Sequence, residues 1–384
     1  MFIPQISLKE QYKSLKTEVD KEVLQVLENG NYILGENVKK CEEEISVYVG
    51  AKFGIGVNSG TDAIVIALKG LGIGLGDEVI TSTFSFFATV EAICLVGAKP
   101  VFVDINPKTY NIDVSQIEKC VTSKTKAIIP VHLYGQPADM NEILSISKKY
   151  NIKVIEDAAQ AIGAKYKDKS ICSVGDAGCL SFFPTKNLGA CGDAGMITTS
   201  DENLAQQFRV LRDHGSVQKY KHSYIGTNSR LDEIQAAILR VKLKYLDIWT
   251  KKRQENAQIY NDLLKDIVVI PYVASDRIHV YNQYTIRIDG ASDNFKQTRN
   301  DLHDYLKAQG ISAAVHYPIP LHLQDALKFL GYKKGDLPIS EKVADEVLSL
   351  PVYPELTREQ MKFICDTVKS FFEVQPNIKM SALL

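Results

Sequence analysis

Four short stretches of the chain carry residues able to do chemistry. In Ser181-Phe182-Phe183-Pro184-Thr185-Lys186-Asn187-Leu188-Gly189 a lysine stands between an apolar run and a Gly-rich one. A loop lysine is ordinarily a solvated charge. Turned into a cleft and partly desolvated, it has a depressed pKa, the condition for forming a Schiff base with a carbonyl compound. Glu156-Asp157-Ala158-Ala159-Gln160 follows the apolar pair Val154-Ile155. A carboxylate at the end of a buried strand needs a positive partner, because an unpaired buried charge is costly. A helix cap or an internal salt bridge would meet that need. A protonated pyridine nitrogen would also meet it, in a pairing worth roughly 4 kcal/mol at ~4 Å and an effective dielectric near ~20. Asn58-Ser59-Gly60-Thr61-Asp62 is a small-residue turn opening a helix, whose free N–H groups and dipole suit a phosphate. A plain N-cap at Ser59 or Thr61 explains the same residues. Phe84-Ser85-Phe86-Phe87 offers an aromatic face for a flat ring, or ordinary core packing.

Each of these readings is weak singly. Together, a phosphate turn, an aromatic, an acid and a lysine in that order supply what a pyridoxal-phosphate site requires. The acid would keep the ring nitrogen protonated, which lets the ring serve as an electron sink.

The elements that must position these residues read as α/β. Apolar runs at 53–57, 77–81, 99–105, 126–133, 153–158, 179–183 and 194–200 are expected strands, several separated by helical stretches of 10–20 residues. Strands apolar on both faces and joined through helices predict a mostly parallel sheet between helices. Two helices precede it, the first with Tyr12, Leu15, Val19, Val23 and Leu27 at helical spacing and Gly30 as its stop. After about residue 248 the texture changes to charged helices with strands at 282–289 and 313–317. The expected division is 1–248 for the N-terminal helices and a large cofactor-binding domain, and 249–384 for a smaller C-terminal α+β domain. Residues from about 375 onward are expected to fray.

Composition narrows the function. A net charge of -1 argues against a nucleic-acid binder. Seven cysteines without a C-x-x-C pair fit neither a disulfide framework nor a zinc site, so no metal is expected. The N-terminus lacks a signal-peptide core, and no apolar run approaches the ~18 residues of a membrane span. The expectation is a cytoplasmic protein with no membrane partner.

The motifs NSGTDA, EDAAQAIGA, SFFPTKNLGACGDAGM, GTNSRLDEIQAAIL and AVHYPIPLHLQ resemble the DegT/DnrJ/EryC1/StrS family of sugar aminotransferases, from about residue 3 to about residue 370. The resemblance implies the aspartate-aminotransferase (type I pyridoxal-phosphate) fold, and it implies these roles. Lys186 holds the cofactor and shuttles protons. Asp157 pairs with the ring nitrogen, Gln160 lies near the ring hydroxyl and Phe86 stacks on the ring. Gly60, Thr61 and Ser181 match phosphate contacts. Asn228 matches an asparagine that reaches the phosphate from a second subunit, supported by Arg230, which implies a homodimer with shared active sites. His316 and Tyr317, with Lys219, Tyr220, Lys221 and His222 of the partner, match positions near the sugar nucleotide. Cys191, Ala194 and Phe183 depart from the common pattern, and Phe183 and Cys191 bear on how the sugar sits. The implied substrates are L-glutamate and a nucleotide-linked keto sugar. A dTDP-linked 3-keto-6-deoxyhexose, giving a dTDP-3-amino-3,6-dideoxyhexose, is favoured over a UDP-linked 3-keto sugar. Relatives that work as dehydratases carry a His in place of the lysine, which Lys186 argues against. A non-catalytic, pyridoxal-phosphate-binding regulatory protein is the reading from a different class.

Overall fold

Short apolar runs bounded by turns assemble into one seven-stranded sheet. The computed structural model describes residues 1–289 and 295–374. The strands are β1 (Phe53–Val57), β2 (Glu78–Ser82), β3 (Lys99–Val103), β4 (Thr125–Ile129), β5 (Lys153–Asp157), β6 (Ala177–Ser181) and β7 (Gly195–Thr199). Their order across the sheet is β1-β7-β6-β5-β4-β2-β3. All pairings are parallel except those of β7, which runs against β1 and β6. The reversal brings Gly195, at the start of β7, beside Val57 and Ser181 at the ends of β1 and β6. Polar residues at strand ends therefore gather along one edge, where open α/β sheets place their ligands.

Helices cover both faces, as strands with two apolar faces require. Helices Gly60–Gly70, Ala88–Leu95 and Glu202–Arg212 bury Ile64, Ile93 and Phe208 against Ile55, Ile155 and Ile197 of the sheet. On the other face, Met140–Tyr150 packs Ile143 and Ile146 on Ile80, Ile128 and Val154. Helices Glu36–Val49 and Glu233–Leu243 close over Leu180 and Met196.

Two further strands, β8 (Tyr284–Arg287) and β9 (Val347–Leu350), pair antiparallel. Helices Leu246–Leu264, Phe295–Ala308 and Arg358–Val374 pack around them. Ile3 bridges to Ile311 and is buried in this same core, so the first residues of the chain fasten onto its last third.

One expectation needs correction. Residues 313–317 do not form a strand: Ala314 makes a single bridge to Ser349, and the partner of β8 is β9, some sixty residues away. The first helix, Leu8–Asn29, buries Gln11, Leu15, Val19 and Val26, whereas Tyr12 and Leu27 are exposed. Its inner stripe lies against Ile238 and Val241 of the helix Glu233–Leu243. Helices Glu202–Arg212, capped by Asp201, and Pro338–Glu346, opened by Pro338, add to the elements expected from the sequence. The expected fraying from about residue 375 lies outside the described residues. Among those described, no helix is long and apolar enough to cross a membrane.

Glu156 and Asp157 point to opposite faces of β5, because side chains alternate along a strand. Glu156, wholly buried, accepts four hydrogen bonds: Oε2 from Cys172 N–H (2.9 Å) and His132 Nε2–H (3.1 Å), Oε1 from Val174 N–H (2.9 Å) and Gly175 N–H (2.8 Å). His132 Nδ1 itself accepts from Ala138 N–H, so Nε2 carries the proton given to Glu156. Burial pushes the Glu156 pKa up, but His132 and the amides outweigh it and the net shift is downward. A depressed carboxyl pKa contributes stability above the unfolded value, near 4.5, and that contribution disappears as pH falls through the folded value. Glu156→Gln keeps the shape but sets an NH₂ group against two donors. It is expected to cost about 3 kcal/mol at pH 7 in denaturant unfolding, with the gap to wild type closing as pH falls through the lowered Glu156 value. An undiminished gap at low pH would contradict the assignment of charge to Glu156.

Candidate active site

The edge of the sheet opens into a cavity of about 490 Å³ that brings together Lys186, Asp157 and the other residues singled out at the strand ends. Asp157, at the end of β5, is buried. Its Oδ2 accepts the Thr89 hydroxyl (2.7 Å) and its Oδ1 the Ala159 amide (3.1 Å), leaving acceptor capacity at both oxygens. Lys186 lies across from it on the loop that leaves β6, where its amide donates to Phe183 O (2.9 Å). Burial of the ammonium lowers the Lys186 pKa to about 8, opposed in part by the charge of Asp157. The lysine is therefore a substantially neutral amine at mildly alkaline pH, and the Asp157 carboxyl oxygens keep room for a further donor.

At one end of the cavity the helix Gly60–Gly70 begins. Ser59 Oγ caps it by accepting Asp62 N–H (3.1 Å), so the capping reading of this turn holds. The cap leaves the Gly60 and Thr61 amides at the helix start, where orphan donors and the dipole favour an anion. Ser181 lies against them: a Cβ on Gly60 would stand 2.6 Å from Ser181 Cβ. Gly195 is needed for the same packing, since its Cβ would meet the Ser59 backbone at 2.4 Å. Close approach at both glycines builds an anion cradle from three separate chain segments.

Phe86 forms an exposed aromatic wall, 59% accessible, with its ring 6.1 Å from that of Tyr317. Phe84 is buried and Phe87 packs partly buried in a separate cluster, so one of the three phenylalanines serves the site. Gln160 is fixed by its partners: Oε1 accepts Tyr134 N–H (2.7 Å) and Nε2 donates to Tyr317 Oη (2.9 Å). The Tyr134 hydroxyl donates to the His316 carbonyl, tying the same group to the opposite wall. Burial pushes the Tyr317 phenol far up, so it keeps its proton. His316 pairs through Nδ1 with Ser349 Oγ (2.9 Å). Burial first, then the charge of Lys186, pulls its pKa down to about 4, which leaves a neutral imidazole at pH 7. Phe183, half-exposed, completes this side.

Other expected residues lie elsewhere. Lys219, Tyr220, His222 and Arg230 surround a separate depression on a hairpin formed by Ser216–Gln218 and Lys221–His222. Tyr220 is 87% exposed, Lys221 and Asn228 are exposed too, and none of these lines the cavity. Arg230 pairs with Asp213 (2.8 Å), which bridges to Asn228, so its support of that loop is visible in the structure. Cys191 does not face the site; it lines a second cavity with Tyr12, Leu15 and Lys242. Several lining residues were given no role from the sequence, among them Thr89, Asp193 and Gln283. Thr89 carried the signal of a hydroxyl three residues past Phe86 on a helix. Gln283 carried none, since it arrives from the C-terminal third of the chain.

The donor set fits pyridoxal phosphate: an amine to attach its aldehyde, a carboxylate for a cationic ring nitrogen, an aromatic wall for its ring and an amide cradle for its phosphate. Among the described lining residues Lys186 is the one Lys or Arg, so the cation that Asp157 lacks would come from the ring.

Comparison with known proteins points the same way. The model of the DegT/DnrJ/EryC1/StrS aminotransferase family matches residues 13–369. The chain is 52% identical to the "Pleiotropic regulatory protein" of Geobacillus stearothermophilus, over 97% of this chain and 99% of the relative. It is 45% identical to the UDP-2-acetamido-2-deoxy-3-oxo-D-glucuronate aminotransferase of Pseudomonas aeruginosa (94% and 98% covered). It is 44% identical to the dTDP-3-amino-3,6-dideoxy-alpha-D-galactopyranose transaminase of Aneurinibacillus thermoaerophilus (96% and 99%). Among solved structures it is similar to S. venezuelae DesV in complex with a ketimine intermediate, with TM-score 0.92, 40% identity and coverage of 97% and 99%. NtdA of Bacillus subtilis with bound cofactor PMP gives TM-score 0.89 at 34% identity, covering 97% of this chain and 85% of that one.

Proposed function

Because this chain belongs to the DegT/DnrJ/EryC1/StrS aminotransferase family, we propose that it moves the amino group of L-glutamate to C3 of a nucleotide-linked 3-keto hexose. It is a pyridoxal-phosphate-dependent transaminase. The observation that carries the reading is the pairing, across one cavity, of a desolvated Lys186 amine with the buried carboxylate of Asp157. When bound, the cofactor supplies an electron sink for the carbon that loses a proton and a temporary seat for the amino group. Lys186 removes that proton and returns it, in one direction with glutamate and in the other with the sugar. Asp157 holds a proton at the ring nitrogen. Phe86 and Gln160 fix the plane, and the Gly60 and Thr61 amides with Ser181 anchor the phosphate. Tyr317 remains a donor and His316 an acceptor toward the hexose.

A pH prediction follows from Lys186. A pKa of about 8 means the attacking neutral amine grows roughly tenfold per pH unit below that value. Stopped-flow capture of pyridoxal phosphate by the apoprotein is therefore expected to accelerate up to about pH 8 and level off above it. A rate that keeps rising toward pH 10 would place the amine in water instead.

C3 is the position shared by the dTDP- and UDP-sugar relatives. We place a dTDP-linked 3-keto-6-deoxyhexose first, because among the described residues the cavity wall offers no Arg or second Lys to pair with a sugar carboxylate. A UDP-linked 3-oxo sugar is the second reading, favoured by the 45% identical relative and by the Lys219, Lys221 and His222 hairpin, whose charge a second copy would bring to the site. Exposure of Asn228 and of that hairpin supports a homodimer with shared sites; a fully active monomer in sedimentation would sink it. A regulatory reading draws on the name of the 52% identical relative. Turnover of dTDP- and UDP-linked 3-keto sugars with glutamate decides among these. Amination of a 3-keto hexose is expected, and glutamate consumption without any sugar product would exclude the proposal.

A further inference from the structure

Gln283 enters the site from the C-terminal third of the chain, immediately before β8. Its position is fixed on both sides. Asn282 N–H donates to Tyr134 O (2.9 Å), and Asn282 Nδ2 donates to Asn187 Oδ1 (3.0 Å), on the residue after Lys186. Asn187 in turn donates to Val280 O (2.9 Å). The segment 280–283 is thus bolted to the loop that carries Lys186, and the Gln283 backbone is held beside the cavity that its side chain lines.

That side chain has no work to do inside the protein. Its Oε1 is shielded from solvent without a hydrogen-bond partner, a costly state for an amide oxygen. Gln283 also borders a second, polar cavity of about 10 Å³, which holds one water at most. A ligand therefore reaches the amide only from the 490 Å³ cavity. A carboxamide offers a donor and an acceptor without charge, which matches a hydroxyl or an N-acylamino group. It does not match the carboxylates of glutamate, which call for cations.

We propose that Gln283 is a specificity-determining residue that hydrogen-bonds a neutral substituent, hydroxyl or N-acylamino, of the hexose in the second half of the reaction. The inference rests on the sugar-transaminase reading above. Gln283→Met preserves length and removes the hydrogen bonds; Gln283→Glu preserves shape and one kind of contact, and serves if the first variant folds poorly. The two half-reactions are measured separately in each holoenzyme, glutamate by the change in cofactor absorbance and the keto sugar by its reversal, with thermal melting as the control on folding.

The expected result is a rise of about tenfold or more in the sugar concentration for half-maximal rate, with a glutamate step changed several-fold less. An unchanged sugar step, or equal losses in both steps, would overturn the role, the second by making Gln283 merely structural. A wild-type enzyme that accepts glutamate but no keto sugar nucleotide would overturn the parent reading, and this inference with it. That failure shows in the unmutated protein and so cannot be confused with a failure of Gln283.

Discussion

Lys186→Ala is expected to lose at least ~10⁴-fold in transamination, the upper range for removing a positioned acid–base group. The loss should appear in both half-reactions, since the same amine serves each. The fold should survive. A lysine whose pKa is lowered by burial is charged more readily in the unfolded chain, so its native position is held at a cost, not a gain. Melting temperature is therefore expected to stay at or above that of wild type. The amine-bearing form of the cofactor should still bind, because Asp157, Phe86 and the Gly60-Thr61 cradle remain. Single-turnover absorbance with glutamate and equilibrium dialysis measure the two effects. A variant that keeps more than a hundredth of wild-type turnover would remove Lys186 from its role.

Asp157→Asn should cost about 10³-fold. An ion pair at ~4 Å and an effective dielectric near ~20 is worth roughly 4 kcal/mol, and each ~1.36 kcal/mol is tenfold in rate. The substitution is close to isosteric within its network. The amide oxygen can keep the Ala159 N–H, and the new NH₂ can face Thr89 Oγ, whose proton turns to Ser85 Oγ at 3.1 Å. What is lost is the negative charge that retains a proton on the ring nitrogen. The expected signature is a fall in the rate of proton removal with little change in melting temperature. A rate within tenfold of wild type would show that the charge of Asp157 does not carry this step.

Much of the site was legible because chemistry sits where strands stop. Asp157 ends a strand buried in the middle of a sheet, and Lys186 lies on the loop that follows the strand Ala177–Ser181; each reading needed only local pattern. The phosphate turn was legible as a choice between capping and binding, and the structure shows that Ser59 caps while Gly60 and Thr61 stay free. What sequence could not yield depends on contacts distant along the chain. The strand β9 is a continuous buried run at the end of a helix, and nothing local says that it pairs with β8. Residues 313–317 alternate like a strand, but His316 and Tyr317 are turned by Tyr134 and Gln160 into the cavity wall. Gln283 is invisible for the same reason, since its meaning comes from Asn187 and Tyr134, over ninety residues away. The first helix was legible with its stop at Gly30, but its buried face was not, because exposed and buried apolar residues look alike until the helix Glu233–Leu243 selects one.

The central claim is that this chain transfers an amino group with Lys186 as the acid–base group of both half-reactions. The most direct test is to add excess L-glutamate to the holoenzyme, follow the cofactor band, and then add a dTDP-linked 3-keto-6-deoxyhexose. The account predicts that the band bleaches with about one 2-oxoglutarate released per protomer, and returns as about one amino sugar forms. A band that glutamate leaves untouched, or that bleaches at the wild-type rate in Lys186→Ala, would contradict it.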